Sequence, residues 1–262
     1  MLVVKLQGGL GNQLFQWAYS VALSERFNMP VYLDVHLFGS PLQVNAVEHI
    51  KHYMLPKIVK SEILTVNSEK TNIMSQPRIL IGDDNRYRNF DYIPNKLNYL
   101  DGYWQSEKYI INHRDKILSC LDLDIDHDYD FKDSCSIHVR RGDYTKSNGF
   151  HPVQTVEYFK QALSIIKPKG NIFVFSDDLD WCKENLKSNQ TIFVENNLHW
   201  KDSTFRDLRL MSLCENNIIS NSSFSWWAAW INQNPNKKVI CPKKWFGSIY
   251  DQDHKPESWI KI

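Results

Sequence analysis

From residue 135 onward the chain alternates short apolar runs with amphipathic stretches, and few folds accept that pattern. Residues 135–139, 171–175, 191–195, 217–220 and 238–241 read as strands. Residues 155–166, 179–186 and 204–215 read as helices, and another helix starts near Ser223. In the first of these, Val156, Phe159, Leu163 and Ile166 recur at helical spacing on one face. Repeated β–α units imply a parallel sheet covered by helices on both faces.

The amino terminus repeats the theme once. Residues 2–6 form a β-prone run, Gly8-Gly9-Leu10-Gly11 a flexible turn, and a helix follows with Leu14, Ala18, Val21 and Ala22 on one face. Asn12 is expected to cap that helix. Pro30 ends the connection and residues 31–33 form the next strand, giving a βαβ unit with a right-handed crossover. Residues 34–130 mix polar segments with an aromatic patch at 99–104. The acidic run 122–133 reads as a linker, so the chain is expected to form two lobes, 1–130 and 131–262.

Ligands of parallel sheets bind beyond the carboxyl ends of the strands. Arg140-Arg141-Gly142-Asp143-Tyr144 follows one strand of the second half, Ser176-Asp177-Asp178 another, and Asn221-Ser222-Ser223-Phe224-Ser225 a third. The same edge therefore carries guanidinium forks suited to phosphate, a helix start that offers free N–H groups to an anion, and carboxylates able to accept from ribose or guanine. Taken singly these are ordinary: a charged turn with a local Arg141–Asp143 ion pair, and two helix caps. Their common position makes them a candidate site for a phosphate-bearing ligand.

Other features narrow the field. The formal net charge of +1 disfavours nucleic acid as a partner. The five cysteines form no CxxC pair, as expected of free thiols in a reducing compartment. The start MLVVKLQGG is too short and too interrupted for a signal peptide, and no apolar run reaches the ~20 residues of a membrane span. A cytoplasmic protein is expected, with room for peripheral association at the inner membrane face, and the Asn189 and Asn221 triplets should carry no glycan. Nine tryptophans, several of them in the last forty residues, serve core packing or sugar stacking. The glycine turn lacks the third glycine of a dinucleotide fingerprint, since Leu14 stands there, and no Lys-Ser/Thr follows it. Asp122-Leu123-Asp124 and Asp124-Ile125-Asp126 have the form of a cation-holding motif but fall in the linker.

At these residues the chain resembles the α-1,2-fucosyltransferases of glycosyltransferase family 11. His138-Val139-Arg140-Arg141-Gly142-Asp143-Tyr144 is similar to the family's HxRRGDY signature, and Gly8 to Gln16 to its amino-terminal motif. Phe175-Ser176-Asp177-Asp178, the run from Asn221 to Trp230 and Pro242-Lys243-Lys244-Trp245-Phe246 match further blocks in order. The resemblance implies a GT-B-like α/β fold, two Rossmann-like lobes facing a cleft, with the donor held mainly by the second. It implies inverting transfer of fucose from GDP-β-L-fucose to a terminal β-galactoside in cell-surface glycan synthesis, with no metal or other cofactor. Its partners would be GDP-fucose and a galactose-terminated glycan, with membrane-linked intermediates as a peripheral setting. By the same analogy Arg140 contacts the diphosphate, Ser223, Phe224 and Ser225 lie near phosphate and fucose, Asp207 near the nucleoside, and Asn12 faces the donor. Gly11, His138, Ser176, Asp177, Asp178, Asn221 and Ser222 complete the donor set. Asp143 is the candidate base, or else a structural group ordering Arg141. His138, a hydrogen-bonded core histidine on the plainer reading, and His151 are lesser candidates. A different donor or linkage, or a non-catalytic nucleotide-sugar-binding module, remain the alternatives.

Overall fold

A computed structural model describes residues 1–38, 52–82, 85–147, 149–195 and 199–262. The chain divides into two compact units, Met1–Asp122 with Gln252–His254, and Leu123–Asp251 with Lys255–Ile262.

The first unit is built on a five-stranded parallel sheet. Strand β1 (Leu2–Lys5) leads through Gly8 and Gly9 into helix α1 (Leu10–Phe27) and returns as β2 (Val31–Asp34). Short strands β3 (Thr65–Val66), β4 (Arg78–Gly82) and β5 (Leu97–Asp101) complete the order β3-β2-β1-β5-β4, and a short helix α2 (Arg114–Ser119) follows. Leu2, Val3 and Val4 are all fully buried, as a central parallel strand with both faces covered requires.

Asn12 does not cap α1. The helix starts earlier, at Leu10 with Gly9 as its N-cap, because Gly8 takes φ +79 and turns the chain sooner. Asn12 sits within the first turn, where its Oδ1 accepts from Gln105 Nε2 at 2.6 Å. A Cβ on Gly8 would lie 2.4 Å from the Asn12 amide. Two buried glutamines on the same helix spend their amides on backbone: Gln13 on Gly8, His52 and Met54, and Gln16 on Gln7 and Gly102. The helix stops at Asn28, whose left-handed backbone sends its N–H back to Ser24.

The second unit follows the expected alternation closely. Strands β6 (Cys135–Val139), β7 (Ile172–Ser176), β8 (Thr191–Phe193), β9 (Asn216–Ile218) and β10 (Val239–Cys241) are joined by a sixth, β11 (Ile260–Lys261), in the parallel order β11-β10-β9-β6-β7-β8. The helices are α3 (Val156–Ile166), α4 (Leu179–Asn185), α5 (Trp200–Leu213) and α6 (Ser223–Ile231).

Alternate residues of β6 part the two faces. Ile137, Val174, Ile218 and Ile240 pack with Tyr158, Phe159 and Ala162 of α3 and Cys182 of α4. On the other face Asn217 donates to Met211 O of α5 at 2.8 Å, and the His138 ring lies 5.6 Å from Phe224 of α6. Trp226, Trp227 and Trp230 of α6 are buried against one another, with Trp259 against Trp226. These tryptophans are core.

Residues 122–131 carry no helix or strand. Asp124, Asp126, Asp128 and Asp130 are exposed, while Leu123, Ile125, His127 and Tyr129 between them are half-buried. All five cysteines are free. Among the described residues, no helix is long and apolar enough to cross a membrane.

Candidate active site at the carboxyl edge of the second sheet

Register brings the three polar runs together. Parallel pairing sets Val139 beside Ser176 and Ile137 beside Ile218, so the segments leaving β6, β7 and β9 emerge at one edge. Ser220 ties the first to the third: its Oγ donates to His138 O at 2.8 Å and accepts from Arg140 N at 3.2 Å.

Arg140 is clamped between two carboxylates. Nη2 lies 2.7 Å from Asp143 Oδ1, and Nη1 lies 3.0 Å from Asp177 Oδ2. Its guanidinium carbon is also 5.6 Å from the centre of the Tyr144 ring. Tyr144 is fixed in turn, donating from its hydroxyl to Asn221 O at 3.1 Å and stacking on His151 at 4.4 Å. Asp177 also accepts from Arg141 N at 2.9 Å. Arg141 pairs with Asp178 at 2.9 Å and lies over the Trp181 ring at 4.3 Å.

Two expectations change at this point. Asp143 pairs with Arg140 rather than ordering Arg141, which takes Asp178 instead. Of the two adjacent aspartates only Asp178 caps α4, accepting from Trp181 N at 3.2 Å; Asp177 points at the arginines. Two guanidinium groups thus face three carboxylates, and the cluster has no cationic surplus of its own. An anion must take over Arg140's bonds to Asp143 and Asp177 or use its remaining N–H donors.

The serine run is more structural than expected. Ser222 is the N-cap of α6 but makes no side-chain cap bond, and Ser225 is fully buried, donating to Ser222 O at 3.3 Å. Asn221 is buried too, its amide donating to Trp245 O at 2.9 Å and accepting from Gln154 at 3.1 Å. Ser223 and Phe224, half-buried at the helix start, are the members of this run that face outward most. Ser176 Oγ accepts from Asp178 N at 2.9 Å. Asp207 lies half-buried on α5, about 10 Å along the helix from its first residue. Gly11 and Asn12 belong to the first unit.

His138 is not the hydrogen-bonded core histidine expected. It is buried, and its Nδ1 has no hydrogen-bond partner. Burial, with Arg140 nearby, pulls its pKa down to about 3. The folded protein therefore keeps this ring neutral, while the unfolded chain protonates it near its ordinary value. Stability contributed by the neutral ring is present above pH 6.5 and is lost as pH falls through the window from 6.5 to about 3. Between pH 6.5 and pH 5 the loss should reach roughly 2 kcal/mol. In urea unfolding, His138→Gln should flatten this acid slope, and an unchanged slope would remove His138 as its source. His151 is also held below its usual pKa by burial, and its Nδ1 too lacks a partner.

Gly142 has a steric reason to be glycine. A Cβ there would lie 2.6 Å from Asp177 Oδ2. Gly142→Ala should push Asp177 off Arg140, so that the guanidinium loses one of the two carboxylates that align it for phosphate, and GDP binding should weaken by up to about tenfold. Titration with GDP checks this, and unaltered affinity would contradict it. Tyr144, Trp181, Ser220 and Gln154 had no role assigned from sequence. Only Tyr144 offered a signal, an aromatic ring four residues after an arginine.

The family model described as glycosyl transferase family 11 matches residues 1–262. The O-antigen biosynthesis glycosyltransferase WbnK of Escherichia coli is 29% identical, covering 98% of this chain and 99% of that protein. An α-1,2-colitosyltransferase of Escherichia coli is also 29% identical, covering 100% and 99%. Rabbit (Oryctolagus cuniculus) galactoside α-(1,2)-fucosyltransferase 2 is 25% identical over 88% of this chain and 67% of that one. Among solved structures, the NodZ α-1,6-fucosyltransferase co-crystallised with GDP superposes with a TM-score of 0.56 at 14% identity, covering 87% of this chain and 91% of that one. That likeness bears on fold alone, and it agrees with the GT-B-like α/β class expected. With the match running from the first residue to the last, this chain belongs to glycosyltransferase family 11.

Proposed function

We propose that this glycosyltransferase moves L-fucose from GDP-β-L-fucose to the 2-hydroxyl of a terminal β-galactoside, with inversion and without a metal. One observation carries the reading: Arg140 stands where three strand ends meet, its guanidinium aligned by Asp143 and Asp177. A leaving diphosphate develops charge as the glycosidic bond breaks, and a preorganised guanidinium stabilises that charge as a metal would. Ser223 at the start of α6 adds a hydroxyl and a helix N-terminus to the same edge. The second unit is then the donor-binding lobe and the first the acceptor side. Assembly of a bacterial surface glycan on the cytoplasmic side suits the O-antigen relatives.

Incubation with GDP-fucose and a panel of β-galactosides in EDTA, with product linkage read by NMR, tests this. An α-1,2-linked product is expected, and no GDP release with any acceptor would refute it. A second donor has specific support. The relative named an α-1,2-colitosyltransferase aligns over its whole length, so a colitosyl donor belongs in the same assay. Preference for that donor would keep the linkage and change the sugar.

A further inference from the structure

An acceptor sugar carries no charge, so phosphate-binding groups cannot hold it. Its recognition falls to hydrogen bonds and to the apolar faces of its ring. A β-galactoside has one such face: the axial 4-hydroxyl leaves the hydrogens of C3, C4 and C5 together on the opposite side, a shape that fits an aromatic ring. The sugar that receives fucose must also come to the donor, so a hold on that ring belongs on the unit that binds the donor.

The second unit carries a chain of rings that starts at Arg140 and ends in solvent. Tyr144 lies 5.6 Å from the Arg140 guanidinium carbon and stacks on His151 at 4.4 Å, within 12° of parallel. His151 in turn meets Phe150 at 4.8 Å and Phe246 at 5.5 Å, and those two rings lie 5.4 Å apart. All four belong to the second unit. Tyr144, His151 and Phe246 are half-buried, whereas Phe150 is 43% exposed. Two loops fix this outer ring. Gly247 N donates to Phe150 O at 3.0 Å, and a Cβ on Gly247 would lie 2.1 Å from Gly149 O, so glycine lets the loops meet this closely. On the other flank Ser147 Oγ accepts from His151 N at 3.2 Å. An exposed ring held this firmly loses little freedom when a ligand covers it. The Asp143 carboxylate, 39% exposed and close enough to His151 to act on its charge, supplies an acceptor for a sugar hydroxyl beside the rings.

We propose that Phe150, backed by His151 and Phe246, stacks on the apolar face of the acceptor's terminal β-galactoside. The proposal rests on the sugar-transfer reading above and names a substrate contact which that reading lacks. Phe150 takes no part in bond making. It holds one ring of a neutral substrate beside the Arg140 site, to which Tyr144 and His151 connect it. Nothing in the sequence marks this ring. Phe150 follows a glycine in a stretch without periodicity, and its support from Phe246 comes from far along the chain.

The test has two arms. With methyl β-galactoside as acceptor, Phe150→Ala should raise the acceptor KM about tenfold, the upper end of what one aromatic face contributes. Donor KM and calorimetric affinity for GDP should stay at wild-type values. Phe150→Trp keeps a ring face and should rescue the acceptor KM. Phe150→Leu, apolar without a ring, should not, and it carries the comparison if thermal unfolding shows the alanine variant to be unfolded. Saturation-transfer NMR with methyl β-galactoside and GDP reads the contact itself: saturation should reach H3, H4 and H5 in the wild type and fade in Phe150→Ala. An acceptor KM within twofold of wild type in a folded Phe150→Ala protein would overturn the proposal. So would a higher donor KM or a weaker GDP affinity, because the ring would then serve the donor. A wild-type protein that forms no product from any β-galactoside sinks the sugar-transfer reading instead, and the NMR contact then still decides the role of Phe150.

Discussion

Arg140→Ala is expected to lower kcat by about 10³-fold or more and to weaken GDP binding. One preorganised donor aimed at developing charge is worth about 10²–10³ in rate. This position adds a second loss. Arg140 is the group that Asp143 and Asp177 face at 2.7 and 3.0 Å, and without it both carboxylates confront the incoming diphosphate without their guanidinium partner. Arg140→Lys should recover only part of the activity. An ammonium carries the charge but cannot hold two carboxylates and a phosphate in one plane. Steady-state kinetics with a saturating acceptor measures both variants, and near-normal turnover in the alanine variant would remove Arg140 from the chemistry.

Trp226→Ala should cost roughly 3–5 kcal/mol of stability, the range for a large ring deleted from a core. Trp226 is fully buried and touches Trp227, Trp230 and Trp259, so its loss leaves a cavity lined by rigid indoles that collapse poorly. Against a total stability of about 5–15 kcal/mol this is a large fraction. The damage should reach function through α6, whose first turn carries Ser223 and Phe224. Denaturant unfolding followed by tryptophan fluorescence reads the loss. A change below about 1 kcal/mol, within the range of an ordinary surface substitution, would contradict the packing described.

The second unit was legible because its strands are short apolar runs punctuated by turn residues, and its polar residues gather where each strand ends. The first unit was less so, for identifiable reasons. Strand β5 reads Leu97-Asn98-Tyr99-Leu100-Asp101, and Asn98 looks like a loop residue. In the fold it is fully buried, its amide bound to Ile93 and Lys96 backbone. Strand β4 lies at a sheet edge, partly exposed, and β3 and β11 are two residues each, too short for any period to show. The aromatic patch at 99–104 splits: Tyr99 and Trp104 are core, whereas Tyr103 is exposed. Within the site, spacing could place Arg140, Asp143, Asp177 and Asp178 on one edge. It could not say which carboxylate serves which arginine, because that depends on side-chain direction beyond the strand ends.

The proposed chemistry turns on a guanidinium that recognises phosphate charge, and a thermodynamic cycle tests that recognition. Calorimetry should compare GDP with guanosine on the wild-type protein and on Arg140→Ala. The wild type should prefer GDP strongly, and the variant should lose most of that preference while its affinity for guanosine barely moves. An Arg140→Ala protein that keeps the full preference for GDP would show that the diphosphate is held elsewhere.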